Sequence, residues 1–325
     1  MRVVRCDKYG PAAEALKVAE MEKPQPKAGE VLVKLKATSA TSGDCRIRGL
    51  NVPSGFGMMM RLMLGFRGPR QPILGLNFSG VVEALGQGAR AFEVGDEVFG
   101  STEMRMGCYA EYVSVPVEMA VAKKPKSVSF EEAAVFPFGA MTALSFLRDK
   151  AKLQPSQSIL IYGASGAVGA ASVQLAKQMG ARVTGVCSSA NQGLVASLGA
   201  DAVLDYRVQD MSQLEREFDV VFDTVGMLGL ANGIRLTRRG GVCLFAVAGV
   251  PDLFRILWKT MTSGRKVSGG VATEKKDDLE YLLGFLSRGL LLPVIDRSYR
   301  LEEMVEAHEY VERGRKKGNV AILVD

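Results

Sequence analysis

Residues 158–206 constrain the fold more than any other stretch of this chain. An apolar run of strand length, Ile159 to Tyr162, leads into a glycine turn, Gly163-Ala-Ser-Gly166-Ala-Val-Gly169. A helical run follows, apolar at Val168, Ala171, Val173, Leu175, Ala176 and Met179, and it stops at Gly180. A second strand, Arg182–Cys187, completes the unit. Strand, helix and strand in this order predict a parallel pair joined by a crossover helix. Each glycine has a physical reason. Gly163 permits a tight exit from the strand. Gly166 lets a pyrophosphate approach the helix N-terminus, where amide N–H groups and the helix dipole favour an anion. Gly169 lets the helix pack close to the sheet. Ser165, Ala167 and Val168 fall in the same turn and are expected cofactor contacts. The spacing is G-x-x-G-x-x-G rather than G-x-G-x-x-G, so it carries weight only in this strand–turn–helix setting.

The end of the second strand selects the cofactor. An acid there accepts from the ribose 2′-hydroxyl of NAD. This chain has Ser188-Ser189-Ala190-Asn191 instead, with hydrogen-bond donors and no carboxylate. That favours NADPH (NADP), with Ser188, Ser189 and Asn191 as contacts. The neighbouring segment has no Lys or Arg, and Arg207, just after the third strand, is the candidate for the missing charge.

The remaining composition excludes more than it selects. The 325 residues suffice for two domains, and 47% are hydrophobic, as in an ordinary globular protein. Apolar runs are expected to fall short of a membrane span. The start, Met1-Arg-Val-Val, reads as a strand rather than a secretory signal. A net charge of +6 without a basic cluster interleaved with aromatics suits anionic cofactors better than nucleic acid. Five scattered cysteines, Cys6, Cys45, Cys108, Cys187 and Cys243, with no C-x-x-C, predict reduced thiols in a cytoplasmic compartment and no structural zinc. The single histidine, His308, lies in the charged run LEEMVEAHEYVERG and is expected to be an exposed surface residue. No His-Cys metal set and no Ser-His-Asp triad can then be assembled.

Flanking this unit, the N-terminal part reads as β structure. Met1–Cys6 is a first strand, Glu30–Ala37 alternates as a half-buried strand, and Asp44 leads into a short helix toward Gly49. Short strands with glycine-rich turns over 72–115 predict a compact barrel. Pro125 is the expected domain boundary, followed by an apolar helical run containing Pro137. Six strands, near 158–162, 182–187, 201–205, 219–225, 241–247 and 266–272, alternate with helices and predict a doubly wound sheet.

Motifs along the whole chain resemble the zinc-independent, quinone oxidoreductase type of the medium-chain dehydrogenase/reductase superfamily. They are GDCRIRG (43–49), PILGLNFSGVV (72–82), FEVGDEVFG (92–100), YAEYV (109–113), EEAAVFPFGAMTAL (131–144), SLGADAVLDY (197–206), FDTVG (222–226) and GRKKGNVAILV (314–324). The resemblance implies an α/β protein with a GroES-like β-barrel catalytic domain, residues 1–125 completed by 273–325. A doubly wound Rossmann dinucleotide-binding domain would occupy 126–272. It places Thr142 beside the nicotinamide ribose, Asn319 at the nicotinamide end, Tyr206 near the adenosine phosphate and the backbone up to Val247 against the carboxamide. Val225 and Val271 complete the expected cofactor contacts. Zinc members of the superfamily carry a Cys ligand where this chain has Thr41, and Gly-His-Glu where it has Gly75-Leu76-Asn77. Quinone reductases commonly have Asn and Tyr where Thr41 and Arg46 stand, so a tyrosine-assisted mechanism lacks its residue.

Without metal or histidine, hydride transfer from NADPH would rest on positioning and weak donors. Quinones and α,β-unsaturated carbonyls need little activation. Thr41, Asn77 or a backbone N–H would donate to the acceptor oxygen, and solvent would supply the proton. Asp44 reads as structural rather than as a general acid, and Tyr109 is a further proton-donor candidate. Two alternatives stay open: an NADPH-binding scaffold with little turnover, and an NAD(P)-dependent alcohol or carbonyl oxidoreductase. The resemblance also implies a homodimer through the edge strand near 266–272. Two segments combine apolar and basic residues. Residues 51–70 hold Met58, Met59, Met60, Met63 and Phe66 with Arg61, Arg67 and Arg70; residues 251–266 hold Phe254, Ile256, Leu257 and Trp258 with Arg255 and Lys259. Core packing, a dimer contact, a lipophilic substrate mouth or a membrane-surface contact are the readings open for them.

Overall fold

The computed structural model describes residues 1–51, 55, 57–247 and 250–324, and leaves aside the side chains of 250–254 and 257. The expected contacts of Phe254 and Leu257 therefore lie outside the described residues. Chain contacts divide the molecule into two units: residues 1–52, 57–138 and 274–325 in the first, and 53–56 and 139–273 in the second. Between residues 57 and 273 the chain passes from the first unit to the second at 138/139, inside the helix Phe130–Leu144 and beyond Pro125.

The first unit opens with an antiparallel pair, β1 (Arg2–Cys6) and β2 (Leu16–Glu20). It continues through β3 (Glu30–Ala40), β4 (Asn77–Leu85), β5 (Glu97–Ser101), β6 (Tyr112–Pro116) and β7 (Val121–Lys123). The second unit contributes β8 (Ser158–Tyr162), β9 (Arg182–Cys187), β10 (Ala202–Asp205), β11 (Phe218–Asp223), β12 (Thr237–Phe245) and β13 (Lys266–Gly269). The chain then returns to the first unit with β14 (Ile295–Arg300) and β15 (Asn319–Leu323).

In the first unit the long strand β3 is the hub. It pairs antiparallel with β4, β6 and β15, and the seven strands run β14-β15-β3-β4-β5-β7 with β6 also on β3. Two register shifts in the β3–β4 ladder bend the sheet around a core of Val33, Leu35, Phe78, Val98 and Tyr109. In the second unit the strand order is β10-β9-β8-β11-β12-β13, with parallel pairing throughout. The chain starts in the middle and winds outward both ways, as a doubly wound sheet must. Strands β8, β9 and β11 are apolar and buried nearly throughout, because helices cover both faces of a parallel sheet.

Strands β12 and β13 differ from the sequence expectation. β12 starts at Thr237, earlier than 241, because Thr237 pairs with Phe218 across a register shift. It stops at Phe245, leaving Val247 beyond it. β13 stops at Gly269, since Gly270 takes φ +108°, a conformation that ends a strand. Val271 consequently sits in a loop, 92% exposed. A third expectation is corrected too. Phe130–Ala151, 22 residues, is long and apolar enough to cross a membrane by length and composition, but most of that window is buried, as in a core helix. Its last turns, Ser145–Ala151, are wound as π-helix. All five cysteines are free and buried.

Candidate functional site

In the second unit the glycine turn forms an anion cradle. Gly163 takes φ +81°, and a Cβ there would meet Thr224 Oγ1 and Val225 Cγ1 at 2.7 Å. A Cβ on Gly169 would lie 2.1 Å from the Gly163 carbonyl oxygen, so the helix Ala167–Gln178 sits on the strand exit only because Gly169 has none. Gly166 is different: the nearest atom to a Cβ there is the Gly163 oxygen at 3.5 Å, and the space above is otherwise open. Gly166 is the helix N-cap and no side chain caps its amides. The first-turn N–H groups of Ala167 and Val168 therefore point into that space, where a diphosphate would satisfy them.

Neighbouring residues extend the cradle. Asn191, 8% exposed, donates through Nδ2 to Ser165 Oγ at 3.0 Å, and its buried Oδ1 has no protein partner. Asp223, the fully buried last residue of β11, accepts from the amides of Val225, Gly226 and Leu228 at 2.7–3.0 Å and so fixes the loop that presents Val225, 40% exposed. Thr142 is half-buried in the apolar helix. At the sheet end, Ser188 is half-buried and Tyr206 is 43% exposed, with the Arg207 guanidinium 5.9 Å from the Tyr206 ring.

One expectation about this corner changes. No acid follows β9, but Asp205 at the end of β10 occupies the same corner. Ser189 donates its hydroxyl to Asp205 Oδ2, and the Arg207 amide donates to Oδ1 at 2.9 Å. These bonds hold the Asp205 carboxyl below its usual range. Ser189 therefore spends its proton on a carboxylate, which leaves Ser188, Tyr206 and Arg207 as the free donors.

In the first unit the candidate catalytic residues gather around the helix Ser42–Gly49. Thr41 and Asp44 form a capping box: Thr41 Oγ1 accepts from the Asp44 amide at 3.1 Å, and Asp44 Oδ2 accepts from the Thr41 amide at 2.9 Å. The Thr41 hydroxyl also donates to Asp44 Oδ2 at 2.6 Å. A cap of this kind contributes about 1 kcal/mol. Asp44 is fully buried, and burial pushes its carboxyl up to about 6 against the bonds from Thr41. Asn77 begins β4, 1% exposed; its Nδ2 donates to Ser39 Oγ at 3.1 Å and its Oδ1 has no protein partner. Asn319 begins β15 and donates to the Val294 carbonyl at 3.0 Å.

Below this box lies a buried polar chain that includes His308. Far from being a surface residue, His308 is fully buried. Leu301, Met304, Ala307, His308 and Val311 form the inward face of the C-terminal helical segment, and the charges of the motif lie on the other side. Arg48, 1% exposed, donates from Nε to His308 Nδ1 at 3.3 Å. An arginine has no lone pair to offer, so Nδ1 is the acceptor and the neutral ring carries its proton on Nε2. Nε2 then donates to the Tyr109 hydroxyl oxygen, 2.9 Å away. Cys45 Sγ also lies 3.4 Å from Nδ1. The Tyr109 proton is left to face Asp44, with which the phenol interacts. Arg48 closes the chain by donating to the Gly10 carbonyl and pairing with Glu312. Burial first, and then the Arg48 charge, lower His308 from 6.5 to about 3. Tyr109 is fully buried and its phenol is raised well above the usual value, chiefly by burial. Its hydroxyl is engaged by His308 on one side and Asp44 on the other, so the one proton it has is committed within this chain.

Comparison with known proteins places both units. The Alcohol dehydrogenase GroES-like domain model matches residues 27–126, and the Zinc-binding dehydrogenase model matches 198–322. A chloroplast envelope quinone oxidoreductase homolog of Arabidopsis thaliana is 30% identical over 335 residues, covering 99% of this chain and 98% of its own. The chain belongs to the quinone oxidoreductase branch of the medium-chain dehydrogenase/reductase superfamily. A 2-methylene-furan-3-one reductase of Solanum lycopersicum is 34% identical over 266 residues, 78% of this chain, which spans 64% of that relative's length. The solved quinone oxidoreductase of Coxiella burnetii superposes with a TM-score of 0.86 at 28% identity, covering 100% of this chain and 99% of the other.

This branch shares a domain model with zinc enzymes, but the chain's own donor set does not fit a zinc ion. Thr41 and Leu76-Asn77 occupy the positions of the implied ligands, and the Thr41 hydroxyl is committed to Asp44. Among the described residues, no three His, Cys, Asp or Glu side chains converge as a metal site. Sequence reasoning missed Arg48, Cys45, Asp205 and Asp223, and misplaced His308. The spacing of Met304, His308 and Val311 on one helical face was the available signal for His308.

Proposed function

We propose that the protein is an NADPH-dependent reductase of quinones and α,β-unsaturated carbonyls that works without zinc. The observation that carries this reading is the pairing of an open, uncapped glycine cradle with a Thr41–Asp44 cap where a zinc enzyme would hold its metal. The names of the relatives support the same acceptor class. Bound NADPH would supply the hydride. The chain's residues do the rest: Gly166 and the amides after it hold the diphosphate, Asn191 offers its unpaired Oδ1, and Ser188, Tyr206 and Arg207 face the 2′-phosphate. Thr142, Val225, Val247, Val271 and Asn319 remain proposed contacts toward the nicotinamide half.

At the acceptor, Thr41 has already donated its proton to Asp44, so Asn77 becomes the preferred donor. Asn77 uses one N–H on Ser39 and keeps a second. An acceptor whose developing charge spreads onto oxygen needs no more than this, and solvent supplies the proton. Replacing Asn77 by Ala tests the assignment. The expected result is a loss of kcat/KM of about tenfold to a hundredfold with the NADPH Kd unchanged. An unchanged kcat/KM would remove Asn77 from the site.

Asp205 favours a second reading, an NAD-using alcohol or carbonyl oxidoreductase, because a carboxylate at that corner suits a ribose 2′-hydroxyl. NADH titrated beside NADPH separates the two. We further propose a homodimer through β13, the free edge of the parallel sheet, and a cytoplasmic setting consistent with five free thiols. A monomeric mass in light scattering would count against the dimer.

A further inference from the structure

Between Asp44 and Glu83 the chain has no acidic residue and five arginines, Arg46, Arg48, Arg61, Arg67 and Arg70. The middle of this stretch, the helix Gly57–Leu64 and the turn after it, presents an exposed apolar surface. Met58 is 75% exposed, Leu62 62% and Phe66 57%, with Met59 and Met63 just over half exposed. Apolar side chains at positions i, i+1, i+4 and i+5 share one helical face. Arg61, Arg67 and Arg70 are exposed around them.

The segment is anchored from beneath. Leu64 is buried at 4% exposure. The Tyr9 hydroxyl donates to the Gly65 carbonyl at 2.8 Å, and the Gly65 amide donates to the Arg61 carbonyl at 2.9 Å. A Cβ on Gly68 would lie 2.2 Å from the Asp7 carbonyl oxygen, so the turn is pressed onto the N-terminal strand. Arg61 donates to the Phe66 carbonyl at 2.7 Å and sits 5.8 Å from the Tyr9 ring, which folds the turn back on the helix. The fixed side of the segment is therefore the side facing the turn after β1, at Asp7–Tyr9, and its apolar side is left facing solvent. Asp7, whose backbone meets this turn, has its carboxylate paired with Arg5.

Charge decides what such a face can meet. A second copy of the same face would bring arginines onto arginines. An acidic surface with an apolar layer behind it satisfies both components at once: arginines meet anionic headgroups while methionine, leucine and phenylalanine enter the acyl boundary. We propose that residues 57–70 dock this protein peripherally on anionic lipid bilayers. Methionine suits this role because its flexible, polarisable side chain fits an irregular layer. Docking of this kind would bring the protein to the phase where lipophilic acceptors collect.

The test is co-sedimentation of the full chain with phosphatidylcholine vesicles, with and without phosphatidylserine. The expected result is about tenfold or greater preference for the anionic vesicles, falling as salt rises. The triple variant M58S/L62S/F66S should lose most of that binding, and R67Q/R70Q should lose the preference for phosphatidylserine. Unchanged circular dichroism and melting temperature would show both variants folded, as substitutions on an exposed face should be. Three results would overturn the proposal: no preference for anionic vesicles; equal vesicle binding by wild type and the triple variant; or a lipid-free dimer in light scattering that the triple variant abolishes. A rise in KM for a lipophilic acceptor in lipid-free solution, with vesicle binding intact in the triple variant, would assign the face to substrate capture instead. These readouts need no turnover, so failure of the reductase reading would leave them interpretable.

Discussion

The glycine cradle and the polar chain under the Ser42–Gly49 helix solve opposite problems. The cradle leaves hydrogen-bonding groups of both kinds unspent: the amide donors at the start of the helix Ala167–Gln178 have no capping side chain, and Asn191 keeps a buried acceptor oxygen without a partner. The polar chain spends most of its capacity internally, with one buried oxygen, Asp44 Oδ1, left without a hydrogen-bond partner. Arg48, His308, Tyr109 and Asp44 are sealed from solvent and pass hydrogen bonds in one direction. A region built to receive a ligand keeps its hydrogen-bonding capacity unspent, and a region built to hold shape spends it internally. Thr41 lies at a candidate catalytic position, yet its hydroxyl is committed to Asp44.

If the comparison is right, Gly166→Val should show the largest effect on binding and the smallest on fold. Its Cβ meets only the Gly163 oxygen at 3.5 Å, but the side chain fills the space above the amides. NADPH affinity measured by fluorescence titration should fall about a hundredfold, near 3 kcal/mol, with the melting temperature unchanged. Gly169→Val should lower both, because its Cβ would lie 2.1 Å from a backbone oxygen. Equal melting temperatures for the two variants would break the account of the cradle.

His308→Leu makes the opposite cut. It strands the Arg48 Nε–H and the Tyr109 hydroxyl in a dry core, at a cost of about 3–5 kcal/mol in chemical denaturation. NADPH affinity of the folded fraction should be unchanged. A loss below about 1 kcal/mol would mean the chain is not the closed network described.

Acid sharpens the point. His308 falls from 6.5 to about 3 on folding, so its contribution is present above 6.5 and is lost as pH drops toward 3. Asp44 rises from 3.8 to about 6, so the folded state gains from it as pH drops from 6 toward 3.8. The two nearly offset over that shared window. His308→Gln removes the first and leaves the second. The difference in stability between wild type and variant should therefore narrow with acid by about 1.4 kcal/mol per pH unit between roughly pH 6 and 4. A constant difference across that range would contradict the buried neutral imidazole. Because the chain has one histidine, nitrogen-15 histidine labelling gives one imidazole to follow, and its Nε2–H tautomer can be read directly.

Tyr109→Phe strands only the His308 Nε2–H and should cost less than His308→Leu, about 1–3 kcal/mol in stability, with kcat little changed. A hundredfold loss of kcat would restore the tyrosine as proton donor.

What the sequence made legible follows the same divide. The parallel sheet and its glycine turn could be read from residues 158–206, because hydrophobic runs and a ligand-facing turn leave local signatures. β3 and the short helix after Asp44 were legible for the same reason, but the capping box between Thr41 and Asp44 was not read. Contacts of high sequence separation were not. Asp205 reaches Ser189 from the neighbouring strand, and Tyr109 meets His308 across 199 residues, so no local pattern announces either. The charges around His308 in LEEMVEAHEYVERG drew attention to the solvent face of the helix and away from the inward one.

The most direct test of the central claim is the loss of NADPH absorbance with chelator-treated protein against a quinone, an enone and a simple ketone, with NADH in parallel. The account predicts rapid, NADPH-preferring turnover of the quinone or the enone and little of the ketone, undiminished by the chelator. Efficient ketone turnover that the chelator abolishes would contradict it and point to a metal-dependent carbonyl reductase.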